Sequence, residues 1–223
     1  MTKTLTARPE NLAFDPARTA VIVNDMQNAF CSPGGYLERI GFDISQTPDV
    51  INNVANLCSA ARAAGVAIIH LQNGFSPDQH EAPPNAPIWR KSNALRYMRA
   101  NPETAGQILT WNTWDDAFVD QLKPQPGDLV VRKSRDSGFA GTNLDSLLRT
   151  REIKTLFVCG IATNVGVEST IRAAFHLDYF PVLITDATMP AGPPFMREAV
   201  EFNVITFFGW VADTATTVTA LKG

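Results

Sequence analysis

The sequence predicts an α/β fold, a three-layer α/β/α sandwich around a mostly parallel, Rossmann-like sheet of about six strands. Three observations carry this. Short runs rich in β-branched residues recur along the chain. The runs are almost continuously apolar, as in strands buried on both faces, whereas strands wetted on one side alternate. Helical patterns fall between them, the order expected of right-handed βαβ crossovers. The chain has 223 residues, about one and a half times a typical domain of ~150. No repeat or low-complexity tract divides it, so residues 1–223 are read as a single domain. A hydrophobic fraction of 45%, with 13 Phe and 4 Trp, supplies a core, and 18% charged residues is too few for a disordered chain.

The elements follow in order. TAVIVND at 19–25 is the first strand. The first long helix follows Thr47 and Pro48, with Val50, Val54, Leu57, Cys58 and Ala61 on one face and Gly65 as its stop. Further strands are read at 66–72, 128–133, 155–160 and 180–186, and a last one at 203–207, NVITF. Leu144, Leu147 and Leu148 mark one later helix, Val167, Ile171, Ala174 and Phe175 another, and a final one begins near Pro194. Two stretches break the rhythm: Phe30 to Thr47, and the proline-rich Gly74 to Asn112. Excursions of that length in a compact domain are usually functional covers or subunit contacts.

Composition narrows the function. Acidic residues exceed basic ones, giving a net charge of −3 and no footprint of a phosphate-backbone binder, so no nucleic-acid partner is expected. The apolar runs are far shorter than the ~18 residues a membrane helix needs. The N-terminus lacks a signal-peptide pattern and the three cysteines, Cys31, Cys58 and Cys159, form no CxxC pair, so a cytoplasmic protein is expected. His70, His80 and His176 show no metal-ligand spacing, and GxGxxG, GxxxxGK[ST] and GxSxG are absent. No metal or organic cofactor is expected.

In open parallel sheets the ligand crevice lies outside the carboxyl ends of the strands. Asp25 ends the first strand, Lys133 ends the third, and GIATNVGVEST follows the fourth and enters a helix near Asn164 or Val165. Taken singly, each has an ordinary explanation: a turn carboxylate, a solvated lysine, an N-cap. Together they supply a base, a cation and the free N–H groups and positive dipole end of a helix start, the parts acyl transfer needs. A nucleophile is missing, since position 166 is Gly166. Cys58 and Cys159 fall on core-facing stripes that favour the inert thiol, and Cys31 is read as structural or incidental.

At these residues the chain resembles the isochorismatase-like cysteine hydrolases, closest to their ureidoacrylate-like branch, with biuret and triuret hydrolases as neighbours. The likeness runs almost full length, through VNDMQNAF, SPGGYLE, QNGF, KSNAL, SGFAGTNLDSLLR, GIATNVGVEST and FFGW. It implies that Asp25 is the base, that Lys133 holds carboxylate and nucleophile in register, and that position 166 carries a cysteine. The N–H groups of Ala162 and Gly166 form the implied oxyanion hole, with the 161–162 peptide in the cis form. Phe30, Asn73, Asn93 and Phe139 are the implied walls of a pocket for a small ureido substrate. The resemblance further implies a homo-oligomer, dimer or tetramer. Gly166 departs from the pattern, and three readings stay open: an inactivated amidohydrolase, an enzyme with a natural glycine that uses Asp25 as general acid on a vinyl ether, or a non-catalytic small-molecule binder.

Overall fold

The structure is a computed structural model and describes residues 2–223. A short antiparallel hairpin opens the chain, β1 (Lys3–Leu5) with β2 (Leu12–Phe14). The main sheet has six strands: β3 (Thr19–Asn24), β4 (Ala67–Asn73), β5 (Leu129–Lys133), β6 (Thr155–Ile161), β7 (Phe180–Met189) and β8 (Trp210–Ala212). Their spatial order is β5-β4-β3-β6-β7-β8, and every pairing is parallel. The chain builds outward from β3 through β4 to β5, then returns to add β6 on the other side. β3 and β6 therefore flank the point where strand order reverses, the place at which such sheets bind ligands.

Nine α-helices lie among the described residues: α1 (Asn28–Cys31), α2 (Tyr36–Arg39), α3 (Thr47–Ala63), α4 (Pro87–Lys91), α5 (Asn93–Ala100), α6 (Leu144–Thr150), α7 (Glu168–His176), α8 (Phe195–Asn203) and α9 (Thr214–Lys222). Residues along the central strands alternate between two cores, as the two-residue period of a strand requires. Val21, Val23, Phe157 and Cys159 pack with Val50, Val54 and Leu57 of α3 and Leu221 of α9. Ala20, Ile22, Leu156 and Val158 pack on the opposite face with Leu144 and Leu148 of α6 and Ile171 and Ala174 of α7. This is the expected three-layer sandwich. The α3 helix begins at Thr47-Pro48 and the chain turns at Gly65, whose φ of +72° suits a residue without Cβ.

The sixth strand corrects the sequence reading. NVITF at 203–207 is not a strand; Asn203 ends α8 and Val204–Phe208 form a wide helical turn. Val204 is buried in the core on the α6 and α7 face, with Ile205 and Phe208 packed against it in part, but the segment reaches that core as a helical turn with no strand pairing. The strand starts after Gly209, whose backbone lies against Pro181 O with no room for a Cβ, and α9 then follows with Asp213 capping Thr216 N at 2.7 Å. No helix among the described residues is long and apolar enough to cross a membrane.

Candidate active site

The register of the parallel strands decides what meets at the carboxyl edge. Asn73 of β4 lies opposite Lys133 of β5, and Asn24 of β3 lies between Leu71 of β4 and Gly160 of β6. Immediately beyond Asn24 the chain turns at Asp25, which has φ +53°. Aspartate is among the few side chains that tolerate this left-handed region. The turn is pinned by Asp25 N–H donating to Leu71 O at 3.1 Å and Gln27 N–H donating to Asp25 O at 2.8 Å.

Asp25 and Lys133 form a buried ion pair. Lys133 Nζ lies 2.7 Å from Asp25 Oδ2, with side-chain exposures of 0% and 4%. Nζ also donates to Arg135 O and Asp136 O, both at 3.1 Å, so the ammonium group has three acceptors. Burial pushes the Asp25 carboxyl up to about 6, while the charge and hydrogen bond of Lys133 pull the other way. The group is ionised above that pH and neutral below it.

The turn after β6 faces this pair. The Ile161–Ala162 peptide is cis, and Thr163–Val167 form one wide helical turn before α7. Ala162 O accepts from the amides of Val165 and Val167, each at 3.1 Å, on either side of Gly166. A β-carbon placed on Gly166 would stand 3.3 Å from Asp25 Oδ2. Asp25, Lys133 and residue 166 therefore converge on one point. Gly160, with φ +102°, lets β6 pass close against the backbone of Asn24, where any side chain would collide.

A cavity of about 280 Å³ opens here, with Asp25, Ile161, Ala162 and Gly166 in its wall. Phe30, Asn73 and Asn93 line it. Phe30 meets Tyr36 edge-on, ring centroids 5.8 Å apart, and the Asn73 backbone is held by Gln27, whose Oε1 accepts from Asn73 N–H at 2.8 Å and whose Nε2 donates to Asn73 O at 2.9 Å. Phe139 is a correction. It is absent from this wall and packs against Tyr179, 5.8 Å between centroids, in the core on the α6 and α7 face. The SGF segment carrying it turns away because Gly138 N–H is drawn to Thr170 Oγ1 of α7 at 2.9 Å.

The two irregular stretches supply the rest of the wall: Tyr36, Leu37, Ile40 and Phe42 from the first, Phe75, Ile88, Lys91 and Leu109 from the second. Sequence reasoning expected the loop from Phe75 to Trp89, which holds Phe75 and Ile88, to set specificity, but singled out none of the other wall residues, nor Asn24 and Gln27. The one available signal was a polar Asn inside the apolar run of β3. The three thiols are buried, and burial pushes Cys31 far up, Cys58 to about 12 and Cys159 well above its ordinary value. None of them lines the cavity.

Comparison with known proteins agrees with this fold. The Isochorismatase domain model matches residues 19–216. The chain is 55% identical to ureidoacrylate amidohydrolase RutB of Azorhizobium caulinodans over 95% of this chain and 93% of the relative. It is 54% identical to the protein of the same name from Agrobacterium fabrum over 94% and 92%. Among solved structures it resembles a cysteine hydrolase from Pseudomonas syringae pv. phaseolicola, 31% identical, TM-score 0.80, covering 100% of this chain and 99% of that one. N-carbamoylsarcosine amidase from Thermoplasma acidophilum shares the fold at TM-score 0.67 and 20% identity, covering 88% and 96%. The fold, the full-length match and the relatives' shared chemistry together make this chain a member of the isochorismatase family of hydrolases.

Proposed function

We propose that the chain binds a small ureido or carbamoyl compound of the ureidoacrylate, biuret or triuret kind, at a site built for amide hydrolysis by a Cys-Asp-Lys triad. In this chain glycine stands at the nucleophile position. The observation that carries the reading is the convergence on one point of Asp25 Oδ2, Lys133 Nζ 2.7 Å away and the residue-166 β-carbon position 3.3 Å away. Asn73 and Asn93 offer amides to the ureido group, and Phe30 helps exclude water. With Asp25 balanced by Lys133, Lys91 and Arg135 outnumber the remaining acid of the wall, Asp136, which favours a substrate bearing a carboxylate, ureidoacrylate over neutral biuret.

With a cysteine at 166 the reaction balances without a cofactor. The thiol gives its proton to Asp25 and the sulfur bonds to the ureido carbonyl carbon. The oxyanion is held by the Ala162 and residue-166 N–H groups, an effect typically worth about 3 kcal/mol per donor. The C–N bond breaks as Asp25 returns the proton to the leaving amine. Water, deprotonated by Asp25, then cleaves the carbamoyl thioester, and the carbamate released decays to ammonia and carbon dioxide. With Gly166 no sulfur–carbon bond forms, so the chain binds its ligand and turns it over by this route not at all.

The test is calorimetric titration of the chain with ureidoacrylate and biuret, together with ammonia release by variants bearing a cysteine at 166. Saturable binding and ammonia release only with the thiol support the reading; a folded variant with a reactive thiol that is inert on both compounds refutes it. A second reading has its own support: a carboxyl titrating near 6 is partly protonated close to neutral pH, the form in which Asp25 would act as general acid on a vinyl ether. Cleavage of a vinyl ether by the unaltered chain, abolished by Asp25→Asn, would select it. Binding without turnover in every form would leave a non-catalytic binder. The proposal extends to a homo-oligomer, dimer or tetramer, since Phe202 and Phe207 are 63% and 56% exposed on one face.

A further inference from the structure

The space beside Gly166 is filled. Asn24, last residue of β3 and fully buried, directs its side chain across to the turn after β6. Its Nδ2 donates to Ile161 O at 2.8 Å and to Asp25 Oδ2 at 3.1 Å. A β-carbon on residue 166 would stand well under 3.0 Å from that same nitrogen, closer than real β-carbons approach their neighbours. The amide is not there for core stability alone, because Asn24 Oδ1 is buried without a hydrogen-bond partner, a costly arrangement that an apolar side chain avoids.

We infer that Asn24 and Gly166 act as one unit: the Asn24 amide occupies the start of the nucleophile's place and donates to Asp25 Oδ2 there. Asn24 is thus a positioning residue for Asp25 and a second determinant, beside Gly166, of the missing thiol chemistry. The inference rests on the reading of position 166 as the nucleophile's. It has a physical consequence for any thiol installed there. A cysteine at 166 must expel the Asn24 amide from its two hydrogen bonds, leaving a buried donor without an acceptor and the new sulfur crowded. Valine at 24 removes the conflict. It ends at its γ-carbons, and Asn24 Cγ already stands 3.4 Å from the β-carbon position, an ordinary van der Waals distance. Its β-branched shape also suits a buried strand.

The experiment compares four proteins: the chain itself, Gly166→Cys, Asn24→Val and the double variant. Thermal unfolding and the pH dependence of iodoacetamide alkylation are read on each, and ammonia release from ureidoacrylate on the two thiol variants. The three resident cysteines are buried, so alkylation of the folded protein reports on position 166. Gly166→Cys is expected to melt several degrees below the parent and to alkylate slowly. The double variant should recover most of that loss and alkylate at least tenfold faster, with an inflection near the Asp25 titration. Asn24→Val alone, which carries no thiol at 166, should move the Asp25 titration upward in the pH dependence of its thermal unfolding, as loss of a donor to the carboxylate requires. A Gly166→Cys protein as stable and as reactive as the double variant, or a double variant no more stable than Gly166→Cys, overturns the pairing. A double variant that alkylates quickly yet releases no ammonia leaves the pairing intact and refutes the ureido reading instead.

Discussion

Lys133→Met tests whether the Asp25–Lys133 pair behaves as a buried charge pair. Methionine replaces most of the lysine stem's volume, so the perturbation is chiefly the loss of one charge and three donated hydrogen bonds. It leaves a carboxylate with Oδ1 unpartnered and Asn24 Nδ2 as the donor still on Oδ2. Breaking a buried pair on one side typically costs about 3–5 kcal/mol, which for a chain of this length is roughly 6–20 °C in Tm. The loss has a pH signature. Asp25 already titrates near 6 in the folded protein against an ordinary 3.8, so the folded state keeps a proton that the unfolded chain releases across that window. The stability it contributes is complete below 3.8 and lost as pH rises through about 6. Without Lys133 the carboxyl titrates higher still, so the penalty is greatest near pH 8 and smaller near pH 5, where the parent's Asp25 is largely neutral as well. Adding Asp25→Asn to the variant leaves no buried charge and should return about 2 kcal/mol or more at pH 8. Chemical denaturation at both pH values measures this. A loss below about 1 kcal/mol that does not vary with pH, or a double variant no more stable than Lys133→Met at pH 8, would refute the reasoning.

Three further outcomes are expected. Gly160→Ala should cost roughly 4 kcal/mol or more by denaturant titration, because it combines a φ of +102° with a collision against the Asn24 backbone. Lys91→Met should weaken binding of ureidoacrylate about three- to tenfold, less so in high salt, and leave biuret unchanged by calorimetry; equal losses for both would show that Lys91 does not meet the carboxylate. Thiol reagent should label none of Cys31, Cys58 and Cys159 in the folded protein and all three in denaturant, and rapid labelling of Cys31 before unfolding would contradict its burial.

The fold and the convergence of Asp25, Lys133 and the turn at Gly166 were largely legible in the sequence, for a shared reason. A strand buried on both faces is a conspicuous apolar run, and the residue that ends it is delivered to the ligand edge whatever the loops do. Asp25, Lys133 and the turn at Gly166 could be brought together from strand ends alone. Phe139 could not be placed, because its direction depends on the Gly138 bond to Thr170, a contact made only in three dimensions. NVITF misled because a short β-branched and aromatic run can reach a core as a helical turn as well as a strand, and α9 was missed because its threonine-rich sequence carries no clear apolar stripe. Asn24 escaped attention because its proximity to residue 166, 142 positions further along the chain, is supplied by the register of β3 with β6 alone.

The ion pair and the cavity wall have separate anchorages. Asp25 and Lys133 are fixed to strand termini whose positions are dictated by the whole sheet, whereas most of the wall hangs on two excursions that leave the sheet and come back. Exchanging either excursion for one of different sequence would remake most of the cavity wall without moving the carboxylate or the ammonium group. The lining of the cavity can therefore diversify while the buried ion pair at its floor stays where the sheet puts it.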